Sequence, residues 1–513
     1  MARLILELDP NVRDLEEVVV LLESVGLSRD SLRSLGYQSI GELAGEVFSA
    51  VQELRSRFAK YPQELPSRVG VGKALLIGLA FNTPWLFMML SLFGLGLAYI
   101  SFNISPSVGT SIGMAFIFSL IASGGLQQAF TRKYLYYYSQ ENFLMAWQTA
   151  KAFFVLGVLF AWVSTIIFST ILYFFYPVVN MVLTSTYFLL LYLLWVMVIP
   201  LYAALTSRRI KEILKLPAAF SPLLLLSWPL YLFLGQSLPP EASLIVSQLI
   251  SLAVTLVLTL YLTWPFGAAA MRHAYTGLRD TSPRMPRLGI TLYYLAPYFL
   301  YGTLYYLFVF ADRLLVWRLT GPYPFTIDPF YEMVMGLAML GLLPAIAVDA
   351  YFVFNLPHYF TLHLEETPLW MEEALGKRVW RRIRPAYLFL LALNFEALLL
   401  VLFAETFIFQ LLGTPFPNPI VLASGAVGYF LLGVFILNSQ ILLFFNRVWD
   451  ASAAVAGGLA ANLLTGLILT QLYGDPYLAA IGLAVGSMTL AAVSTVQVSR
   501  RVRNLAYVAY SSI

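Results

Sequence analysis

Cysteine is absent from this 513-residue chain, which excludes disulfides, thiolate metal sites and thiol nucleophiles. Histidine is almost absent: His273, His358 and His363 are the whole set. His358 and His363, with Glu365 and Glu366, flank a proline-containing loop. They lack the HExxH spacing that puts two imidazoles on one helical face, so no metal is expected. No GxxxxGK[ST] loop occurs, so the chain is not a complete ATP-driven pump by itself. No serine–histidine pair or ligand cluster points to an enzyme, and no cofactor is expected. Charged residues make up 11% of the chain, against roughly 25% in soluble domains. Hydrophobic residues make up 60%, which excludes water as the solvent for most of the sequence. Hydrocarbon accepts apolar surface all round each helix, so the lipid bilayer takes that place. The net charge of +4 is therefore no nucleic-acid signal, and its placement along the chain carries the information.

What is present falls into two parts. Residues 1–72 hold charged amphipathic stretches such as LEEVVVLLESVGL and SIGELAGEVFSAVQELRSRF. Val18, Leu21, Leu22 and Val25 recur at helical spacing, and Ser28 and Ser39 stand where N-caps start helices. This reads as a small helical cytoplasmic domain; SLRSLGYQSIGELAG resembles a helix-hairpin-helix turn, though a helical cap or docking surface is the plainer reading. The first apolar run long enough to span begins near Lys73, so no cleavable signal peptide is expected.

From Lys73 onward, apolar runs alternate with short polar breaks, at the length that crosses about 30 Å at 1.5 Å per residue. They predict twelve spans: 74–101, 108–130, 152–177, 180–205, 217–235, 242–270, 288–317, 330–355, 385–412, 419–445, 450–472 and 476–498. The fold class is thus all-α, a polytopic membrane protein. When alternate breaks are taken as inside, all of the 31 Lys and Arg except Arg313 and Arg318 fall on the inside. Basic residues in short loops stay cytoplasmic, so both termini are expected there, in a plasma (inner) membrane. The long break at 271–287 has six expected spans on either side, which predicts two six-helix lobes, 73–286 and 287–513. Secondary transporters commonly hold substrate between such halves.

Ionisable groups inside hydrocarbon are costly and mark candidate functional sites. They are Asp349 in the eighth span, Glu396 and Glu405 in the ninth, and Asp312 with Arg313 in the seventh. Neighbours on a helix point in different directions, so Asp312 and Arg313 are not expected to neutralise each other. The seventh span also carries Tyr294, Tyr298, Tyr301, Tyr305 and Phe308 before Asp312, spaced alternately by four and three. That face is an aromatic ladder ending in a carboxylate. Rings with hydroxyl handles suit sugars, and a carboxylate suits an amino sugar or a coupling cation; equally, Tyr anchors helices at interfaces. Pro84 and Trp85 put a kink in the first span. Ser123, Gly124, Gly125, Gln127 and Gln128 mark the second, where glycines serve close packing. Gln127 and Thr131 share a face that either lines a cavity or bonds between helices; Asn438, Gln440 and Asn462 read the same way.

Several of these stretches resemble the PelG family. In VGVGKALLIGLAFNTPWLFMML, Gly70, Gly72, Pro84 and Trp85 match its first span, with Thr83 where that family has glycine. In SGGLQQAFTRKYLYYY, Ser123, Gly124, Gln127, Thr131, Arg132 and Tyr134 match the end of its second. Asp312, Arg313 and Trp317 close a tyrosine-rich seventh span of the same kind, and Asp349 takes the position of an acidic residue before a Tyr-rich loop. The matches cover most of 70–360; the last four spans agree in hydropathy alone. The resemblance implies membership of the multidrug/oligosaccharidyl-lipid/polysaccharide flippase superfamily, with lobes around a central cavity. It also implies export of a cationic, amino-sugar-rich exopolysaccharide beside a cytoplasmic glycosyltransferase and small inner-membrane partner proteins.

Three readings follow. In the first, a nascent polysaccharide passes between the lobes along Tyr294, Tyr298, Tyr301, Tyr305, Asp312, Arg313, Gln127 and Gln128. In the second, an ion-coupled flippase or multidrug antiporter uses Asp349 or Glu396 for coupling or gating. In the third, the chain is a non-transporting scaffold acting through residues 1–72. The cysteine-free background offers a direct topology test: single cysteines placed at position 280 and at the C-terminus should react with an impermeant maleimide only after the membrane is opened. Labelling of either in intact cells contradicts the orientation.

Overall fold

The computed structural model describes residues 15–24, 37, 39–59, 70, 72–80, 82–84, 86–87, 105–139, 143–205, 215–275, 288–321, 323–347, 349, 351, 355, 372–412 and 419–503. Trp85, most of the 271–287 linker, His358, His363, Glu365, Glu366 and the Glu405 side chain lie outside the described set. The chain divides into two compact units, Met1–Arg68 and Val69–Ile513.

In the first unit, helices α1 (Leu15–Ser24) and α2 (Ile40–Ala59) pack through Val18, Leu22, Leu43, Ala44, Val47 and Val51. Ser39 Oγ accepts the Glu42 N–H at 3.3 Å and so caps α2. The Tyr37 hydroxyl donates to Glu46 at 2.6 Å, and that bond raises its pKa.

The second unit is built of α3 (Pro106–Ser139), α4 (Phe143–Tyr173), α5 (Val178–Leu205), the short α6 (Lys215–Phe220), α7 (Pro222–Leu225) and α8 (Ser227–Leu234), then α9 (Pro240–Tyr275). There follow α10 (Leu288–Thr320), α11 (Pro329–Leu340), α12 (Glu372–Leu412), α13 (Pro419–Phe444), α14 (Val448–Tyr473) and α15 (Ala479–Arg503). Ten stretches among the described residues are long and apolar enough to cross a membrane. The other two expected spans are 74–101, of which only the beginning is described, and 330–355.

The 330–355 run is not one continuous helix. α11 stops at Leu340, Gly341 and Leu342 form a turn, and helix resumes at 343. Pro344 has no N–H to give the Leu340 carbonyl, and the Gly341 N–H closes a tight bond to Ala338 O at 3.0 Å instead. The 217–235 run breaks for the same reason at Pro222, where the Ser221 hydroxyl takes over the freed Ala218 carbonyl at 2.9 Å.

α3, α4, α5 and α9 pack on one another, and α11, α12, α13, α14 and α15 form a second group. α10 belongs to both, lying along α3 on one side and along α14 and α15 on the other. It meets α3 backbone to backbone. A Cβ added to Gly302 would fall on the Gly124 carbonyl oxygen, and one on Gly125 would come within 2.6 Å of Phe299 O and of Thr303 Oγ1. Without a hydrophobic force between helices in lipid, close approach of this kind supplies the attraction through dispersion and Cα–H contacts. Gly78 makes a second such crossing, against Ala347 beyond the α11 break.

Gly302→Leu is expected to destabilise the protein by more than the roughly 1–3 kcal/mol of ordinary overpacking, because backbone is what must move. Gly457→Ala, with open space around its Cβ, should be neutral or stabilising. Detergent-solubilised melting temperatures compare the two.

Candidate functional site

α10 presents its ladder to the interior. Tyr294, at the helix start, is 38% exposed, while Tyr298, Tyr301, Phe308 and Asp312 are buried. At this end Arg132 of α3 donates to the Tyr294 hydroxyl at 3.2–3.3 Å and stands 5.5 Å over the Tyr298 ring. The Tyr298 hydroxyl donates to Asn446 Oδ1 at 2.6 Å, and Asn446 occupies the left-handed region (φ 57°) in the turn between α13 and α14. Three elements are thereby joined at one end of the bundle. Further along, Tyr301 stacks on Tyr305 at 6.3 Å and Tyr305 on Phe435 of α13 at 6.5 Å. Tyr301 also hydrogen-bonds Ser439.

The far end of α10 carries a buried ionic cluster. Arg313 donates to Glu332 Oε2 at 2.8 Å, and Trp317 donates to Glu332 Oε1 at 2.9 Å. A second Arg313 nitrogen donates to the Tyr429 hydroxyl at 3.2 Å, and its guanidinium lies 5.4 Å from the Phe310 ring. Asp312 points elsewhere and accepts the Tyr331 hydroxyl on Oδ2 at 2.8 Å. With Glu332 committed to Arg313, Asp312 adds a carboxylate beyond the paired charges, and its Oδ1 has no hydrogen-bond partner among the described residues. Asp328 caps α11 by accepting the Tyr331 N–H at 2.9 Å, and its other oxygen accepts the Tyr477 hydroxyl at 2.8 Å.

Asp349 follows the α11 break. Its Oδ1 is buried and has no hydrogen-bond partner among the described residues, and it lies in the neighbourhood of Tyr301 and Tyr305. Tyr305 also lies in the neighbourhood of Tyr429, the hydroxyl that Arg313 engages. Gln127 bonds weakly to Ser123 at 3.4 Å, and the Gln128 stem packs against Gly302; both lie on α3 beside α10. Glu396 is exposed on α12, and no hydrogen bond or ion pair among the described residues joins it to Asp349. The structure thus gathers the α10 residues, Gln127, Gln128 and Asp349, and leaves Glu396 apart. Asn438 and Asn462 bond between helices, to Ser494 and Thr495 at 2.9 Å and to Phe308 O at 3.5 Å. No group of three or more potential metal ligands occurs among the described residues.

The segment from Gly321 to Asp328, which links α10 to α11, closes this end. Tyr176, in the turn between α4 and α5, donates its hydroxyl to Phe325 O at 2.8 Å, accepts the Phe325 N–H at 2.9 Å and stacks on Tyr323 at 5.3 Å. Burial raises the Tyr176 pKa, which keeps that hydroxyl a donor. Thr110 of α3 accepts the Ile327 N–H at 2.9 Å.

Sequence reasoning missed Glu332, Tyr331, Tyr429, Tyr477 and Asn446. The signal for Glu332 was the lone Arg313: a guanidinium that deep requires an anion, and Glu332 is the first acid within an apolar helix after it.

Helices long and apolar enough to span a membrane, a broken helix and buried charge along the helix shared by two groups are the features of a polytopic membrane protein. The fold is that of MATE transporters. An outward-facing multidrug resistance MATE family transporter of the MOP superfamily superposes with a TM-score of 0.56 at 15% identity, covering 86% of this chain and 97% of that one. An inward-facing one gives 0.55 at 14%, covering 85% and 98%. No curated protein sequence matches the chain. The chain belongs to the PelG family, described as "Putative exopolysaccharide Exporter (EPS-E)", whose profile matches residues 72–510.

Glu332→Ala should strand a buried guanidinium and cost about 3–5 kcal/mol, whereas pairing it with Arg313→Met should recover most of the loss. A double-mutant cycle on melting temperature measures this; equal losses in single and double variants contradict the pairing.

Proposed function

We propose that this transporter exports an exopolysaccharide along α10, between lobes formed by residues 73–286 and 287–513, in a plasma (inner) membrane with both termini in the cytoplasm. The observation that carries this reading is the column of tyrosine hydroxyls and rings on α10, with two carboxylates, Asp312 and Asp349, that each hold a buried oxygen without a partner among the described residues. Stacked rings offer flat, hydroxyl-tipped surfaces suited to sugar faces. Unspent carboxylate oxygens inside hydrocarbon favour a passing cation, so a cationic, amino-sugar-rich glycan is the substrate class. In the conformation described, Tyr298, Tyr301 and Phe308 are packed, so the lobes part before a chain enters. A cytoplasmic glycosyltransferase supplies the polymer, and small membrane proteins complete the assembly.

A second reading rests on Asp349, whose orphaned oxygen beside a helix break resembles an ion-coupling position. In it the chain is an ion-driven flippase or antiporter.

Asp312→Asn and Asp349→Asn, made singly and together with Tyr301→Leu and Tyr305→Leu, are assayed for secreted polymer at matched expression. The passage reading predicts at least about a tenfold loss for the combined variant, equivalent to ~1.4 kcal/mol of lost stabilisation. It also predicts dependence on the glycosyltransferase. Unchanged export removes these residues from the route. Transport of small substrates by the purified protein alone, lost when the ion gradient collapses and lost again in Asp349→Asn, establishes the coupled reading instead.

A further inference from the structure

Glu396 is an ionisable side chain on the outside of a span. It lies twelve positions after Arg384, the last of the basic cluster at 377–384. That is about 18 Å of helix at ~1.5 Å per residue, past the middle of a hydrocarbon layer about 30 Å thick when the cluster sits at the interface. A glutamate side chain reaches only about 5 Å, too short to snorkel out from there.

The rotational setting of α12 is fixed from its opposite side. Asn394 is buried and donates to Phe430 O of α13 at 2.9 Å, and Ala397 is buried beside it. Glu396 therefore points away from the bundle, exposed and with neither hydrogen bond nor ion pair among the described residues. An intramembrane carboxylate faces a cavity or a partner. This one faces neither among the described residues of its own chain.

Phe389, Ala392, Glu396, Leu399 and Phe403 are all exposed and follow one another at spacings of three, four, three and four. That is the seam on which a second helix packs at about 20°, and Ala392 allows close approach. A second copy is the wrong occupant. Copies inserted the same way up would set Glu396 against Glu396, and Arg313, a basic side chain buried deep in a span, is already held by Glu332.

We infer that this face of α12 docks a membrane-spanning helix of a different protein, which carries a Lys or Arg at the depth of Glu396. The inference is independent of the export route along α10 and is read without measuring export. A photoreactive benzoylphenylalanine replaces Phe403 in the full chain, expressed in the membranes of its source cell; Ile166 on α4 serves as the control position. The adduct's partner peptide, identified by mass spectrometry, should be a membrane span with a basic residue within one turn of Glu396. Glu396→Leu should lower the yield at least about tenfold while leaving the melting temperature unchanged. Glu396→Gln, the isosteric variant, should lower it less. Glu396→Lys should abolish the adduct, and exchanging the partner's basic residue for Glu should restore it. An adduct within this chain's own sequence, adducts with lipid alone, a partner span without a basic residue, or undiminished yield from both Glu396→Leu and Glu396→Gln would overturn the inference.

Discussion

A charge inside hydrocarbon must be compensated, and the bundle is arranged around that requirement. Arg313 is the centre of it. Its guanidinium engages Glu332 and Tyr429 and lies against the ring of Phe310, while Trp317 steadies the second oxygen of Glu332. These contacts tie α10, α11 and α13 into one piece, because none of the groups can let go without being left bare in a low-dielectric interior. The arrangement uses the one cation that the described residues place in the cluster. Asp312 is left with a tyrosine donor and one oxygen without a partner among the described residues.

The second organising feature is the contact between α10 and α3. Glycines let the two backbones touch at mid-length, so the helix that carries the ladder also joins the two packing groups. At one end Arg132, Tyr294, Tyr298 and Asn446 bridge α3, α10 and the α13–α14 turn. At the other, Tyr176 and Thr110 hold the segment between Gly321 and Asp328 from the opposite group. Both ends are latched by a few polar bonds across a shared interface. Hydrogen bonds of this kind contribute modestly, about 0.6 kcal/mol each on average in membrane interiors, which is compatible with opening.

Much of this was legible in the sequence, since hydropathy and length decide where helices span regardless of tertiary detail. The ladder's periodicity on α10, the divergence of Asp312 from Arg313, and the use of the Ser123-Gly124-Gly125 glycines for close packing are all local properties of a helix, and the structure displays each of them. The turn at Gly341–Leu342 inside the expected 330–355 span was not foreseen, although Pro344 stands just after it: hydropathy ignores the missing N–H. The partners of Arg313 were invisible because they are long-range, 19 residues away at Glu332 and 116 away at Tyr429. Glu396 shows the limit most clearly. Sequence gives the depth of a residue in a span, and it grouped Glu396 with Asp349; only packing gives azimuth, and Asn394 turns Glu396 to the outside.

The central claim is that the route runs along α10 and opens by separating the two groups. Thr110 and Ile327 meet across that boundary at 2.9 Å, and the chain contains no native cysteine. With Thr110→Cys and Ile327→Cys introduced together, the rate of polymer export is measured under oxidising and then reducing conditions. The account predicts that export stops when the disulfide forms and returns when it is reduced. Full export from a quantitatively cross-linked protein would contradict it.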